Sequence, residues 1–207
     1  MSTYTNGPQF RGQCQEPSPL TPWVQNTVGS SSEFIAQAHD LDVDLLLPHV
    51  GTNNQNIVFW GINASAIQVQ WGDPVLSYVM EGNNSFPVTE NLIELATANE
   101  WMYWIIQQVA DQGVSAPISH PIHLHGHDFY VLGSATSSSP SEHVTFDINT
   151  DPQNLQYNNP TRRDTVTLPS NGWVVIAFPT DNPGAWLMHC HIGKPLQTRN
   201  ITSSGYG

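Results

Sequence analysis

From Leu41 onward, apolar residues fall into short β-branched or aromatic runs. The runs are VDLLL, NIVFWGIN, AIQVQW, NLIELAT, EWMYWIIQQV, HDFYVLGSA, DTVTLP, GWVVIAFP and AWLMHC, with Gly, Pro, Asn or Asp in most of the gaps. This spacing predicts many short strands joined by turns. WMYWIIQQ admits a helical reading, but its aromatics and β-branched pair favour a strand. No segment sustains a long helical period, and neither repeats nor heptads occur. An all-β antiparallel sandwich or barrel follows. The Ser-rich residues 134–141 and the Asn/Gln/Pro-rich residues 150–160 read as surface loops, and residues 1–40 as a linker or the end of a preceding domain.

Composition narrows the function. The 207 residues are 39% hydrophobic and 11% charged, enough for one buried core. Five basic residues stand against 17 carboxylates, a net charge of -12. That excludes ordinary nucleic-acid binding, which needs a basic face to displace counterions, and disfavours an anionic membrane surface. No apolar run approaches bilayer length. The first ten residues, MSTYTNGPQF, carry neither the basic start nor the apolar core of a secretory signal. Asn63-Ala-Ser and Asn83-Asn-Ser are nevertheless glycosylation sequons, with a third at Asn200. Paired sequons, low pI and scarce basic residues suit a secreted protein.

The candidate chemistry lies in two histidine-bearing strands. HPIHLHGHDF carries His120, His123 and His125, with His127 close behind. Residues two apart on a strand share a face, so His123 and His125 project together while His120 reaches a different centre. In AWLMHCHIG the same rule sends His189 and His191 one way and Cys190 the other. Side by side, the strands would offer a thiolate and an imidazole to one metal and four imidazoles to a neighbouring cluster. Copper bound by two histidines, a cysteine thiolate and a weak axial group is an electron-transfer centre, and imidazole-ligated copper beside it can reduce dioxygen.

Other readings compete. A single His-x-His is weak evidence, since strand histidines are often surface or satisfied core residues. HLHGHD resembles the zinc signature of metallo-β-lactamase-type hydrolases, but its Asp and final His are transposed and no parallel βαβ pattern accompanies it. Cupins need a nearby Glu, and a structural zinc site wants paired Cys or Cys/His clusters. His39, His49 and His143 lack partners at ligand spacing and read as surface residues, while the Gly126 turn redirects His127. A Cys14–Cys190 disulfide is the lesser reading, because Cys14 sits in a Pro/Gln/Gly-rich arm and Cys190 between histidines.

With both strands in view, residues 57–193 resemble the C-terminal cupredoxin-type domain of a multicopper oxidase, most closely of the fungal laccase type. The resemblance rests on HPIHLHGHDFYVLG, NPTRRDTVTLPSNGWVVIAFPTDNPGAWLMHCHIG and FWGINASAIQVQWGDPVLSYVMEGN. It implies a cupredoxin-like Greek-key β-sandwich over residues 41–193, with residues 194–207 a divergent tail expected to lack structure. By position it implies that His120 and Cys190 bind type 1 copper, His123 type 2 copper, and His125, His189 and His191 the paired type 3 coppers. His127 falls on a motif position that is not a ligand. NPTRRDT is a landmark to which no chemistry is assigned, Arg162 or Arg163 pairing with Asp164 at a strand entrance.

The departures are specific. The family places a second type 1 histidine five residues after the cysteine, where this chain has Pro195. The axial position, ten after the cysteine, falls on Asn200, where the flanking sequence no longer aligns. The tail KPLQTRNITSSGYG resembles no part of the family and reads as intron-derived or frameshifted sequence. The His-x-His pairs of an N-terminal cupredoxin domain, needed to complete the trinuclear cluster, are not in this sequence. The resemblance implies secretion and laccase-type oxidation of phenols or aromatic amines coupled to reduction of dioxygen to water. For these 207 residues alone the partial ligand sets imply no turnover and weak copper binding. The alternative is a non-catalytic copper-binding or interaction module on the same scaffold.

Overall fold

A computed structural model describes residues 20–50, 56–109, 118–139, 141–190 and 199–203. In chain order the strands are β1 (Ala38–Val50), β2 (Asn56–Ile62), β3 (Ile93–Leu95), β4 (Trp101–Gln108), β5 (His120–Leu124) and β6 (Phe129–Thr136). They continue with β7 (Thr161–Arg163), β8 (Thr165–Leu168), β9 (Gly172–Pro179), β10 (Gly184–Cys190) and β11 (Arg199–Ser203). The α-helices are α1 (Ser31–Gln37) and α2 (Val75–Met80).

One sheet runs β2-β1-β4-β9-β6-β7 and the other β3-β11-β10-β5-β8. Pairing is antiparallel except between β1 and β4 and between β11 and β3. The main core lies between the sheets. Leu41, Val43, Trp104, Ile106, Val174, Ile176 and Phe178 from the six-stranded sheet meet Ile122, Leu124, Val166, Leu168 and Met188 from the five-stranded one. Trp104 packs edge-on against Phe178 at 4.7 Å between centroids, an arrangement that suits the ring quadrupoles.

The continuous apolar runs of β4 and β9 need a second apolar layer, because their alternate residues point away from the sandwich core. Tyr103, Ile105, Val175 and Ala177 form it, with Val28 and Phe34 from the segment before β1. Both Val28 and Phe34 are fully buried. Residues 28–37, within the stretch read as a linker, therefore cover the outer face of the larger sheet. Their helix has a local cause in Ser30-Ser-Ser-Glu33: the Glu33 N–H donates to the Ser30 hydroxyl at 3.3 Å, and that hydroxyl donates to the Glu33 carboxylate at 3.0 Å.

Three segments differ from the pattern reading. AIQVQW, residues 66–71, forms no strand, and the isolated bridge of Ser65 to Ile62 precedes it; Asn63 and Ala64, both at positive φ, turn the chain out of β2. α2 follows Pro74 and buries only Val75, too short to show a helical period. β11 lies between β3 and β10, so the tail expected to lack structure carries a paired strand among its described residues.

Candidate metal centre

β5 and β10 are antiparallel neighbours, with Met188 opposite Leu124, His189 opposite His123 and Cys190 opposite Ile122. The two-residue period does the sorting. His120, Ile122 and Leu124 are buried on the inner face of β5, whereas Pro121 and His123 are half-buried on the other. On β10 the same alternation separates Cys190 from His189.

On the inner face, His120 Nδ1 lies 3.6 Å from Cys190 Sγ. His120 is 1% exposed, and burial alone pushes its pKa down to about 4, so the ring is neutral. Its other ring nitrogen faces the Gln108 amide at 3.5 Å, and the Trp60 ring stands edge-on to it at 4.4 Å. A cavity of about 20 Å³ adjoins both His120 and Cys190, walled by Val43, Ile62, Ile122 and Met188. That volume suits one small occupant in apolar surroundings.

On the outer face, the ligand atoms of His123, His125 and His189 all lie within 4.8 Å of one another. The Nε2 atoms of His125 and His189 are 3.0 Å apart. His123 Nδ1 is 2.7 Å from the Asp164 carbonyl. A carbonyl only accepts, so Nδ1 carries the proton and Nε2 is left as a lone-pair donor. His123 and His125, but not His189, border a cleft of about 630 Å³ that His127, Asp128, Asp164 and Asp181 also line.

Both donor sets fit copper. An imidazole nitrogen and a thiolate at metal bond lengths of about 2.0 and 2.3 Å span 3.6 Å when they meet at one ion, and two imidazoles 3.0 Å apart can share another. A soft thiolate with imidazole suits copper as it does zinc, and an all-imidazole set accepts copper.

The structure thus brings His120 to Cys190 and gathers His123, His125 and His189. His191, Cys14 and Pro195 lie outside the described residues. His127 is buried; its Nδ1 lies 3.4 Å from the His125 carbonyl and its ring packs near Phe178 and Trp186. His39 is exposed, and His143 is half-buried with Nδ1 3.4 Å from the Gln108 carbonyl. Arg162 pairs with Asp128 at 3.1 Å, rather than with Asp164, whose carbonyl serves His123. Both sequon asparagines in the described loops are exposed. Asn63 uses its amide to brace β1, accepting from the Asp42 N–H at 2.7 Å and donating to the Asp40 carbonyl at 3.2 Å. Asn83 Oδ1 accepts from the Ser85 N–H at 2.9 Å.

The turn that aims His125 depends on Gly126. Its φ is +70°, and an added Cβ would clash with the Trp186 ring, 2.3 Å from its nearest atom. Trp186 is held by its indole N–H on the Asn182 carbonyl at 2.8 Å, and the Asn182 amide donates to the Gly126 carbonyl at 2.7 Å. Gly126→Ala is therefore expected to cost about 2 kcal/mol or more, from the left-handed backbone plus overpacking. Thermal denaturation would show this, and an unchanged midpoint would refute it.

Sequence reading did not find Gln108, Trp60 or the Asp164 carbonyl. Gln108, 2% exposed at the end of an apolar strand, left a trace as an unexplained polar residue in a buried run. The Asp164 contribution comes from backbone, which no side-chain pattern reports.

Comparison with known proteins agrees with this geometry. A family model described as Multicopper oxidase matches residues 52–199. The chain is 44% identical over 188 residues to Laccase-3 of Botryotinia fuckeliana, covering 88% of this chain and 39% of the relative. It is 39% identical over 187 residues to Laccase-1 of Melanocarpus albomyces, covering 89% and 29%. The laccase of Botrytis aclada superposes with a TM-score of 0.72 at 29% identity, covering 99% of this chain and 34% of that one. Fet3p, a multicopper oxidase that functions in iron import, shares the fold with a TM-score of 0.71 at 20% identity, covering 99% and 37%. The chain spans 39% or less of these relatives' lengths. Matched over most of its length, with the expected cupredoxin-like sandwich and donor sets that suit copper, this chain belongs to the multicopper oxidase family.

Proposed function

We propose that these residues are the C-terminal cupredoxin domain of a laccase-type oxidase, which removes electrons from phenols or aromatic amines and reduces dioxygen to water. The domain is assigned to residues 41–193, with residues 1–40 a linker or the end of a preceding domain and 194–207 a divergent tail. The observation that carries this reading is the 3.6 Å approach of His120 Nδ1 to Cys190 Sγ, on a strand whose preceding residue, His189, faces a second group of imidazoles. His120 and Cys190 are assigned to type 1 copper, His123 to type 2, and His125, His189 and His191 to type 3.

When bound, copper supplies one-electron oxidation at the thiolate site and dioxygen reduction at the imidazole cluster. The chain's own residues prepare both. Val43, Ile62, Ile122 and Met188 place apolar side chains beside the half-buried thiolate, which favours its soft, covalent bonding. The Asp164 carbonyl orients His123 and keeps its proton on Nδ1. The peptide link between Cys190 and His189 is the shortest covalent connection between the two groups.

His123, His125, His189 and His191 are four imidazoles, so the rest of a trinuclear set comes from another cupredoxin domain. Secretion, with glycans on Asn63 and Asn83, accords with the sequons. No helix among the described residues is long and apolar enough to cross a membrane. The test is oxygen uptake by the copper-loaded whole protein supplied with a simple phenol. Dioxygen consumption in step with phenol loss, with water as product, is expected. Accumulation of hydrogen peroxide, or no uptake, would overturn the reading.

A further inference from the structure

Gln108 meets the His120 ring on the side away from Cys190. It is 2% exposed, and two contacts determine which way its amide faces. The backbone N–H of Asn171 lies 2.7 Å from Oε1. A backbone N–H can only donate, so the carbonyl end of the amide is at Asn171. The NH₂ end is therefore the one 3.5 Å from His120 Nε2. Asn171 sits at φ +52° in the turn before β9, a left-handed position that Asn tolerates well, so the donor is fixed in place.

A donor facing Nε2 asks that nitrogen to accept, which leaves the ring proton on Nδ1. Nδ1 points at Cys190 Sγ, where its N–H finds a sulfur acceptor. The resting arrangement is self-consistent: the amide donates to Nε2, and Nδ1–H donates to sulfur. A metal ion shared by His120 and Cys190 needs the Nδ1 lone pair. The proton lost at Nδ1 is then matched by one taken up at Nε2, and the ring stays neutral. That places N–H against the Gln108 NH₂, donor to donor. Turning the amide over relieves His120 but sets NH₂ against the Asn171 N–H.

We propose that Gln108, anchored by Asn171, is a positioning residue that selects the Nδ1-protonated tautomer of His120 and so opposes metal binding until its amide rearranges. The inference rests on the copper assignment of His120 and Cys190. Metal loading is thereby coupled to movement of a buried amide at the base of β4, and the metal-free site is held closed as a hydrogen-bonded His–Cys pair. Gln108→Glu removes the conflict, because a carboxylate accepts from the Asn171 N–H and from Nε2–H together.

The tautomer of His120 is read directly from proton–nitrogen correlation spectra of the histidine rings in the metal-free chain, without any variant. Nδ1–H in the wild type is expected, and Nε2–H there would overturn the proposal. Gln108→Glu is expected to move the proton to Nε2 and to tighten Cu(II) or Co(II) binding at His120 and Cys190 by about tenfold, within the range of outer-shell effects. Gln108→Met, which has no donor, is expected to bind more tightly than wild type and serves if the acidic variant does not fold. Metal binding at His120 and Cys190 with the same affinity in all three proteins would overturn the brake while leaving the copper assignment standing. If ions perturb neither residue in any of the three, the copper assignment fails, and the brake fails with it.

Discussion

Cys190→Ser is expected to abolish the intense visible absorption of the copper-loaded whole protein and to reduce phenol turnover to background. That absorption is charge transfer from a thiolate to Cu(II), and Cys190 Sγ is the sulfur placed 3.6 Å from His120 Nδ1. A serine hydroxyl stays protonated near neutral pH, so it offers neither the charge nor the soft orbital that suits copper. The fold should persist, since Cys190 is half-buried and the exchange keeps the side chain's length. The imidazole group on the other face should still take up copper, because His123, His125 and His189 keep their three ligand atoms together without the sulfur. Optical and electron paramagnetic resonance spectra of wild type and variant, loaded side by side, decide the matter. A variant retaining the wild-type visible band would show that the thiolate lies elsewhere.

The second large effect is acid destabilisation of the metal-free chain. His120 has a folded pKa of about 4, against an ordinary value of 6.5, because burial disfavours the imidazolium. Above pH 6.5 the ring is neutral in both folded and unfolded chains and contributes no slope. Between 6.5 and about 4 the unfolded chain binds a proton that the native ring refuses, so stability falls as pH falls. Below about 4 both states are protonated and the contribution is lost. The gap between 6.5 and about 4 corresponds to about 3 kcal/mol. His127, lowered mainly by burial, acts in the same direction. Asp40 opposes it, since burial and then the charge of Asp42 raise its pKa. Urea denaturation of the metal-free chain at neutral pH and at about pH 4 measures the difference. His120→Gln should flatten that dependence; a variant as acid-sensitive as the wild type would assign the effect to other groups.

The two histidine strands were legible because their chemistry is periodic. HPIHLHGH and AWLMHCH each place donors two apart, and that alone separates His120 and Cys190 from His123, His125 and His189. Strand pairing then had to occur in only one register for the sorting to be realised, and the pairing of His189 with His123 supplies it. By contrast, α1 and its cover of the outer sheet face were not legible. A seven-residue helix with one buried side chain, Phe34, has no period to read, and its N-terminal signal is confined to Ser30 and Glu33. The strand at Arg199–Ser203 was obscure for a related reason, because a polar segment gains its pairing from β3 and β10 rather than from its own pattern.

The sequence by itself determined the fold class, the strands that carry the donors, and the family to which the chain belongs. Those features depend on side-chain period and residue type, both local properties. Only the tertiary structure decided the environment of each donor. Gln108 is twelve residues from His120 and Asn171 is 63 from Gln108, yet the three form one buried chain of contacts. The Asp164 carbonyl reaches His123 across 41 residues, and Trp60 meets His120 from another sheet. Ligand identity follows from what a residue is, whereas the proton, the polarity and the space around it follow from which distant residues the folded chain brings against it.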